Sequence, residues 1–189
     1  MTKKPTKPKT PEITGTELIL LHDMVGTCGG DLRKRIHAGE VSHVIQALAT
    51  LLLVNLGTLL NFMDLHGERY SATNDINPES GAKDVHHLIL NARAAACHGD
   101  SALRSASSQM RMSFIFVQGK RIVVKTRETT IQTHYEDDEA LIFGQQVVYL
   151  GRHLLPAWQA TSDFLARKLG TRPPMLPNPP RSSGVLAPP

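Results

Sequence analysis

The chain has 189 residues, 41% hydrophobic and 20% charged, the balance of one ordinary globular domain, which excludes a fibrous or wholly disordered chain. Cys28 and Cys97 are too few for a disulfide framework or a cysteine-rich zinc module and are expected as free thiols. The formal charge is +4, but six of the 21 basic residues (Lys3, Lys4, Lys7, Lys9, Arg172 and Arg181) lie in acid-free end segments, leaving residues 12–170 with 15 basic and 17 acidic groups, a net of −2. The body is therefore not a polycation, and any nucleic acid would have to meet a local patch or the ends of the chain.

Residues 1–11 and 171–189 hold ten of the twelve prolines and are expected to be disordered tails, the first basic and the second Pro-rich. Residues 12–170 are expected to form one domain. Residues 1–11 are followed by Glu12 and Glu17, not by the apolar stretch of a signal peptide. The longest apolar run, Ala47 to Leu60, is interrupted by Thr50, Asn55, Gly57 and Thr58, so no transmembrane helix is expected and the reading is a cytoplasmic protein with no membrane partner.

The body opens on Thr14-Gly-Thr-Glu17, a capping-box pattern that starts a helix near Gly15, with Leu18, Leu21, Met24 and Val25 at helical spacing. Gly26, Gly29 and Gly30 are expected to weaken or split that helix, and Gly39 to stop it. Ser42 is placed to cap a second, strongly apolar helix reaching about Leu65, the centre of the core. Asn77-Pro78 supplies an N-cap and a first-turn proline for a third helix ending at Gly99. The runs 112–117 and 120–125, joined by Gln118-Gly119, predict a β hairpin, with a third strand within 129–135. Acids at 136–139 and bases at 167–168 then predict one long terminal helix, kinked at Pro156. The expected fold class is mainly α: an up-and-down bundle of four or five helices with a small β hairpin, about 112–135, before the last helix.

The segment that carries chemistry is Asn91-Ala-Arg93-Ala-Ala-Ala-Cys97-His98-Gly99-Asp100 at the end of the third helix. An arginine, four residues, a histidine and then Gly-Asp resembles the mark of the HEPN superfamily. The order of elements around it, two apolar helices before and a hairpin and terminal helix after, is similar to that of several HEPN proteins. The residue after the arginine departs from the family pattern: it is Ala94 where a polar residue, commonly asparagine, is usual. The resemblance implies a metal-independent endoribonuclease that needs no cofactor, a toxin or phage-defence effector acting as a homodimer on RNA, with a cognate antitoxin as a possible protein partner. Arg93 and His98 would be catalytic, and Asn91 and Asp100 would contact substrate. Histidine suits the proton transfers because its ordinary pKa lies near 6.5, and arginine can hold a phosphate by a bidentate fork. Two such residues five apart on one ideal helix point about 140° from each other, so convergence requires a helix break at Gly99 or a second copy across a two-fold axis.

Other readings stand beside this one. His98 can serve as a plain helix C-cap, with Arg93 solvated. A non-catalytic HEPN-like protein-binding module is a second reading, favoured by Ala94, and a small regulatory protein that binds through its tails is a third. Arg127 and His134 repeat the Arg-to-His spacing in a strand-like stretch, which would hold them far apart. His86-His87 lacks a partner at i+4 for a metal, so no metal site is assigned. Gly26 to Gly30 lacks the lysine and preceding strand of a phosphate loop.

Overall fold

Thr14 starts the first helix as its pattern predicts: the Thr14 hydroxyl accepts from the Glu17 amide at 3.3 Å, and the Thr14 amide donates to the Glu17 carboxylate at 2.8 Å. The computed structural model describes residues 13–40, 43–112 and 114–170, so both tails and the Ser42 cap lie outside the described residues. Helix α1 (Gly15–His37) runs unbroken through Gly26, Gly29 and Gly30. The expected split does not occur. Gly26 is buried, and a Cβ at Gly29 would make ordinary contact with Leu52, so these glycines lie within the packing of α1, whose tertiary contacts outweigh their cost of about 1 kcal/mol each.

Helix α2 (His43–Leu65) packs along α1 and also meets the third and fourth helices. Its Ile45, Ala49, Leu52, Leu53, Leu56, Leu59, Leu60 and Met63 are buried, the centre of the main core. Among the described helices α2 alone has the length and apolar content to cross a membrane, and half of that stretch is buried inside the protein, as in a core helix.

Asn77 and Pro78 begin a short 3₁₀ turn (Pro78–Ser80), closed by Gly81 at φ 66°, and not the third helix itself. Helix α3 (Val85–Cys97) starts later, capped by Asp84, whose carboxylate accepts from the His87 amide at 2.7 Å and from Arg69 at 2.9 Å. Asn77 and Asp84, seven positions apart, each cap a separate element, and Gly81 in the left-handed region breaks the chain between them.

The β region departs most from expectation. Strand β1 (Ile115–Gln118) does not pair with β2 (Ile122–Lys125); β2 instead forms a two-stranded antiparallel ribbon with β3 (Thr130–Gln132). Residues 139–149, expected within the last helix, form strands β4 (Glu139–Phe143) and β5 (Gln146–Tyr149), with sheet order β1-β4-β5. Gly144, at φ 57° in the two-residue turn, is required there because a side chain would overlap the Leu103 carbonyl. Leu141, Phe143 and Val148 join the main core with the helices, while Ala140, Ile142, Val147 and Tyr149 join a second core with Val117 and Ile131. With both faces covered, β4 and β5 read as continuous apolar sequence and carry no alternation to mark them as strands.

The terminal helix α4 (Leu155–Leu169) is therefore half the expected length, preceded by a π-helical turn over Leu150–Leu154. Pro156 lies in its first turn, directly after the π-helical turn, and not in the helix interior. Gly170 ends it at φ 68°. The architecture of the described residues is mainly α: four α-helices, a three-stranded sheet packed on α3, and a two-stranded ribbon beyond the sheet.

Candidate functional site

Arg93 is half-buried on α3, and its stem lies across α2 at Gly57: a Cβ built at Gly57 would meet Arg93 Cδ at 3.2 Å and Nη1 at 3.8 Å. The missing side chain opens the bed in which the arginine lies. The side chain is thereby part-buried against α2, with no hydrogen bond or ion pair of its guanidinium among the described residues.

His98 is exposed and has left the helix, with φ −113° and ψ 109°. Its amide donates to the Ala94 carbonyl at 3.0 Å, and its carbonyl accepts from the Ser101 amide at 3.1 Å. The imidazole does not cap the helix. That work is done by Arg104, whose Nε donates to the Ala95 carbonyl at 2.5 Å and whose Nη2 donates to the Ala96 carbonyl at 3.1 Å. Orphan carbonyls at a helix end need such donors, and Arg104 supplies them from the following 3₁₀ turn.

Asn91 is half-buried and Asp100 is exposed. Among the described residues, no hydrogen bond or ion pair engages the side chains of Asn91, Arg93, His98 or Asp100. The four lie along the last two turns of α3 and the residues just after it. Two surface clefts among the described residues, of about 450 and 140 Å³, are lined by none of them.

The other residues weighed from sequence do not assemble. His86 is buried with its Nε2 at 3.2 Å from Asn61 Oδ1, while His87 Nδ1 accepts from the Lys83 amide at 3.3 Å, so the two rings serve different elements. Among the described residues no group of three or more His, Cys, Asp or Glu side chains is arranged to hold a metal ion. Arg127 lies in the turn between β2 and β3, and His134 lies beyond the far end of β3.

One polar cluster escaped sequence reasoning. Asp138, buried, accepts from the amides of Glu139, Gly151 and Arg152 at 2.8 to 3.0 Å and from the Arg152 guanidinium at 3.1 Å. Arg152 also meets Asp137 at 2.9 Å and lies over the Tyr135 ring, 3.6 Å from its centroid, while Tyr135 hydroxyl donates to Asp75. Beside it, His153 is fully buried: its Nδ1 accepts from the Tyr149 amide, which leaves Nε2–H to donate to the Asn74 carbonyl. Burial holds His153 below the usual histidine pKa. The only sequence sign was the acidic run 136–139, which does serve the N-terminal end of the last helical segment, but from across the β4–β5 hairpin. These contacts tie the β3–β4 connection, the π-helical turn and residues 74–75 together.

Comparison with family models, with curated proteins and with solved structures finds no match for this chain.

Proposed function

We propose that the protein is a HEPN-like, metal-independent endoribonuclease that acts in the cytoplasm as a homodimer, with Arg93 and His98 catalytic and Asn91 and Asp100 contacting the RNA. The observation that carries this reading is the freedom of the two side chains: Arg93 is seated across Gly57 without an acidic partner among the described residues, and Arg104, not the His98 imidazole, serves the Ala95 and Ala96 carbonyls. His98 is nonetheless the C-cap residue of α3, its amide donating to the Ala94 carbonyl, so the plain helix-end reading stands beside this one.

In this reading the substrate 2′-hydroxyl attacks the adjacent phosphorus, and the 5′-oxygen leaves. His98 takes the proton or delivers one to the leaving oxygen, while the Arg93 fork holds the non-bridging oxygens as charge develops on them. His98 sits past the end of the helix and Arg93 sits within it, so two copies related by a two-fold axis would bring an Arg93 and a His98 from each chain to one phosphate. The exposed Leu20, Met24, Val44 and Leu51 on α1 and α2 offer apolar surface for that pairing. A phage-defence or toxin role, with a cognate antitoxin as partner, fits such an enzyme. The second reading, a non-catalytic module, draws on Ala94 where the family pattern has a polar residue.

The test is cleavage of single-stranded RNA by purified dimer in chelator. His98→Ala and Arg93→Ala should each lower the rate by a factor of at least about 100 with the fold retained, and products should carry 2′,3′-cyclic phosphate. Arg93→Lys should rescue poorly, since a point charge does not reproduce the planar fork. Absence of cleavage by the unaltered dimer, or cleavage that survives both substitutions, would leave the binding module as the better account.

A further inference from the structure

The charges of this chain are segregated in a way the net value hides. Residues 93–127 contain seven basic residues and one acid, Asp100, while the remainder of 12–170 holds eight basic residues against 16 acids. The pairing pattern follows the same division. Outside the segment six of the eight cations (Arg33, Lys34, Arg35, Arg69, Arg152 and Arg167) form ion pairs. Inside it, among the described residues, none of the seven does.

Three of the seven have structural work or a seat: Arg104 closes α3, Arg93 lies across Gly57, and Arg111 bonds the Ser101 carbonyl. Lys120, Arg121, Lys125 and Arg127 are all exposed on β2 and its two flanking turns. Hydrogen bonds join this ribbon to the helix end. Arg111, exposed, donates to the Ser101 carbonyl one residue past Asp100, and Ser105 pairs with Arg111 as an isolated bridge. Ser108 then donates from its amide and its hydroxyl to Glu128 at the tip of the ribbon, at 2.7 to 3.0 Å. Glu128, the acid nearest the ribbon tip in sequence, is thereby turned onto Ser108.

We propose that the β2–β3 ribbon is a single-stranded RNA docking surface, in which Lys120, Arg121, Lys125 and Arg127 hold successive phosphates and lead the strand through Arg111 to the end of α3. The proposal rests on the ribonuclease reading for the choice of RNA among polyanions. Unpaired, solvent-facing cations in a body that is otherwise acidic attract a polyanion locally and repel it elsewhere, which orients the strand as well as binding it. Two short strands with Ile122, Val123 and Val124 between the cations offer no aromatic stacking, so the contact should depend on phosphates and show little sequence preference.

The experiment measures binding of a fluorescent 2′-O-methyl single-stranded 20-mer, which cannot be cleaved through its 2′-oxygen, to the full chain across a salt series. Lys120→Gln/Arg121→Gln/Lys125→Gln/Arg127→Gln should weaken binding at least tenfold at about 0.1 M salt, with each cation removed reducing the log–log salt slope by about 0.7. Lys34→Gln/Lys168→Gln, on the acidic part, should leave the slope unchanged. Each single substitution is measured as well, so that misfolding of the quadruple variant does not remove the test. A folded quadruple variant, or a full set of single variants, with an unaltered slope overturns the proposal, as does ribbon-dependent binding to anionic phosphatidylserine vesicles without binding to RNA. Failure here with His98-dependent cleavage intact would overturn the ribbon alone. Ribbon-dependent RNA binding by a chain that cleaves nothing would overturn the nuclease and leave the ribbon standing.

Discussion

Arg93 lies where Gly57 has no side chain: the α3 arginine crosses α2 at the glycine of that helix, with Arg93 Cδ only 3.2 Å from the point a Cβ would occupy. Gly57→Ala should therefore separate stability from function. The helix gains about 1 kcal/mol of propensity. The flexible ends of Leu90 and Arg93 must yield by a few tenths of an ångström. The melting temperature should stay within a few degrees, while RNA cleavage falls at least tenfold because the guanidinium is displaced. A variant with full activity would show that the seat of Arg93 does not matter.

Arg104 and His98 have opposite expected phenotypes. Removing Arg104 leaves the Ala95 and Ala96 carbonyls without their charged donor, so Arg104→Ala should cost about 1.5–3 kcal/mol and lower the melting temperature by several degrees. His98→Ala should leave thermal stability unchanged, because its ring is exposed and unbonded. Melting curves of the two variants decide which residue ends the helix.

Acid sensitivity should follow from the buried histidines. Burial holds His22, His86 and His153 below their ordinary value, so the unfolded chain binds more protons than the native one once pH falls below about 6.5. Their contribution to stability is fully present above that pH and is lost as pH falls through the lowered native values. Denaturant melts at pH 7.5 and pH 5.5 should show a drop, and His153→Gln should reduce its size. Equal stability at the two pH values would contradict this account.

Asp138 joins the β hairpin to the last helical segment, and its loss should be costly. Asp138→Ala deprives three amides and the Arg152 guanidinium of one acceptor, an expected loss of about 3 kcal/mol by urea unfolding. Gly151→Ala should also destabilise, because its Cβ would lie 3.0 Å from both Asp138 carboxylate oxygens, which these hydrogen bonds hold in place. Full stability in both variants would remove Asp138 from that role.

Leu51, on the exposed side of α2, tests the composite site. If the proposed dimer forms through this face, Leu51→Asp should shift sedimentation from dimer to monomer and abolish the proposed cleavage together with it, since each chain alone would offer a single Arg93 and His98. A monomer that retains activity would remove the two-fold mechanism.

The amino-acid sequence by itself determined the elements whose signals are local. The Thr14 capping box, the apolar stripe of α2, the arrest of α3 before Gly99 and the stop at Gly170 are set by residues within a turn of one another. Arg93 and His98 were legible for the same reason, as a spacing on one helix end. Their separate states were not: the Gly57 bed lies 36 positions away, and the Arg104 cap depends on a 3₁₀ turn folding back onto α3. The strand segments within 112–135 were legible from their local β-rich runs, but tertiary structure alone decided how they pair and that β4 and β5 form. Two strands buried on both faces lose the alternation that would distinguish them from a buried helix, so the apolar run after Asp138 fitted either form until β1, from more than twenty residues earlier, supplied a pairing edge. Local periodicity encodes which side of an element is buried; which partner buries it depends on contacts distant in sequence, and no local pattern records them.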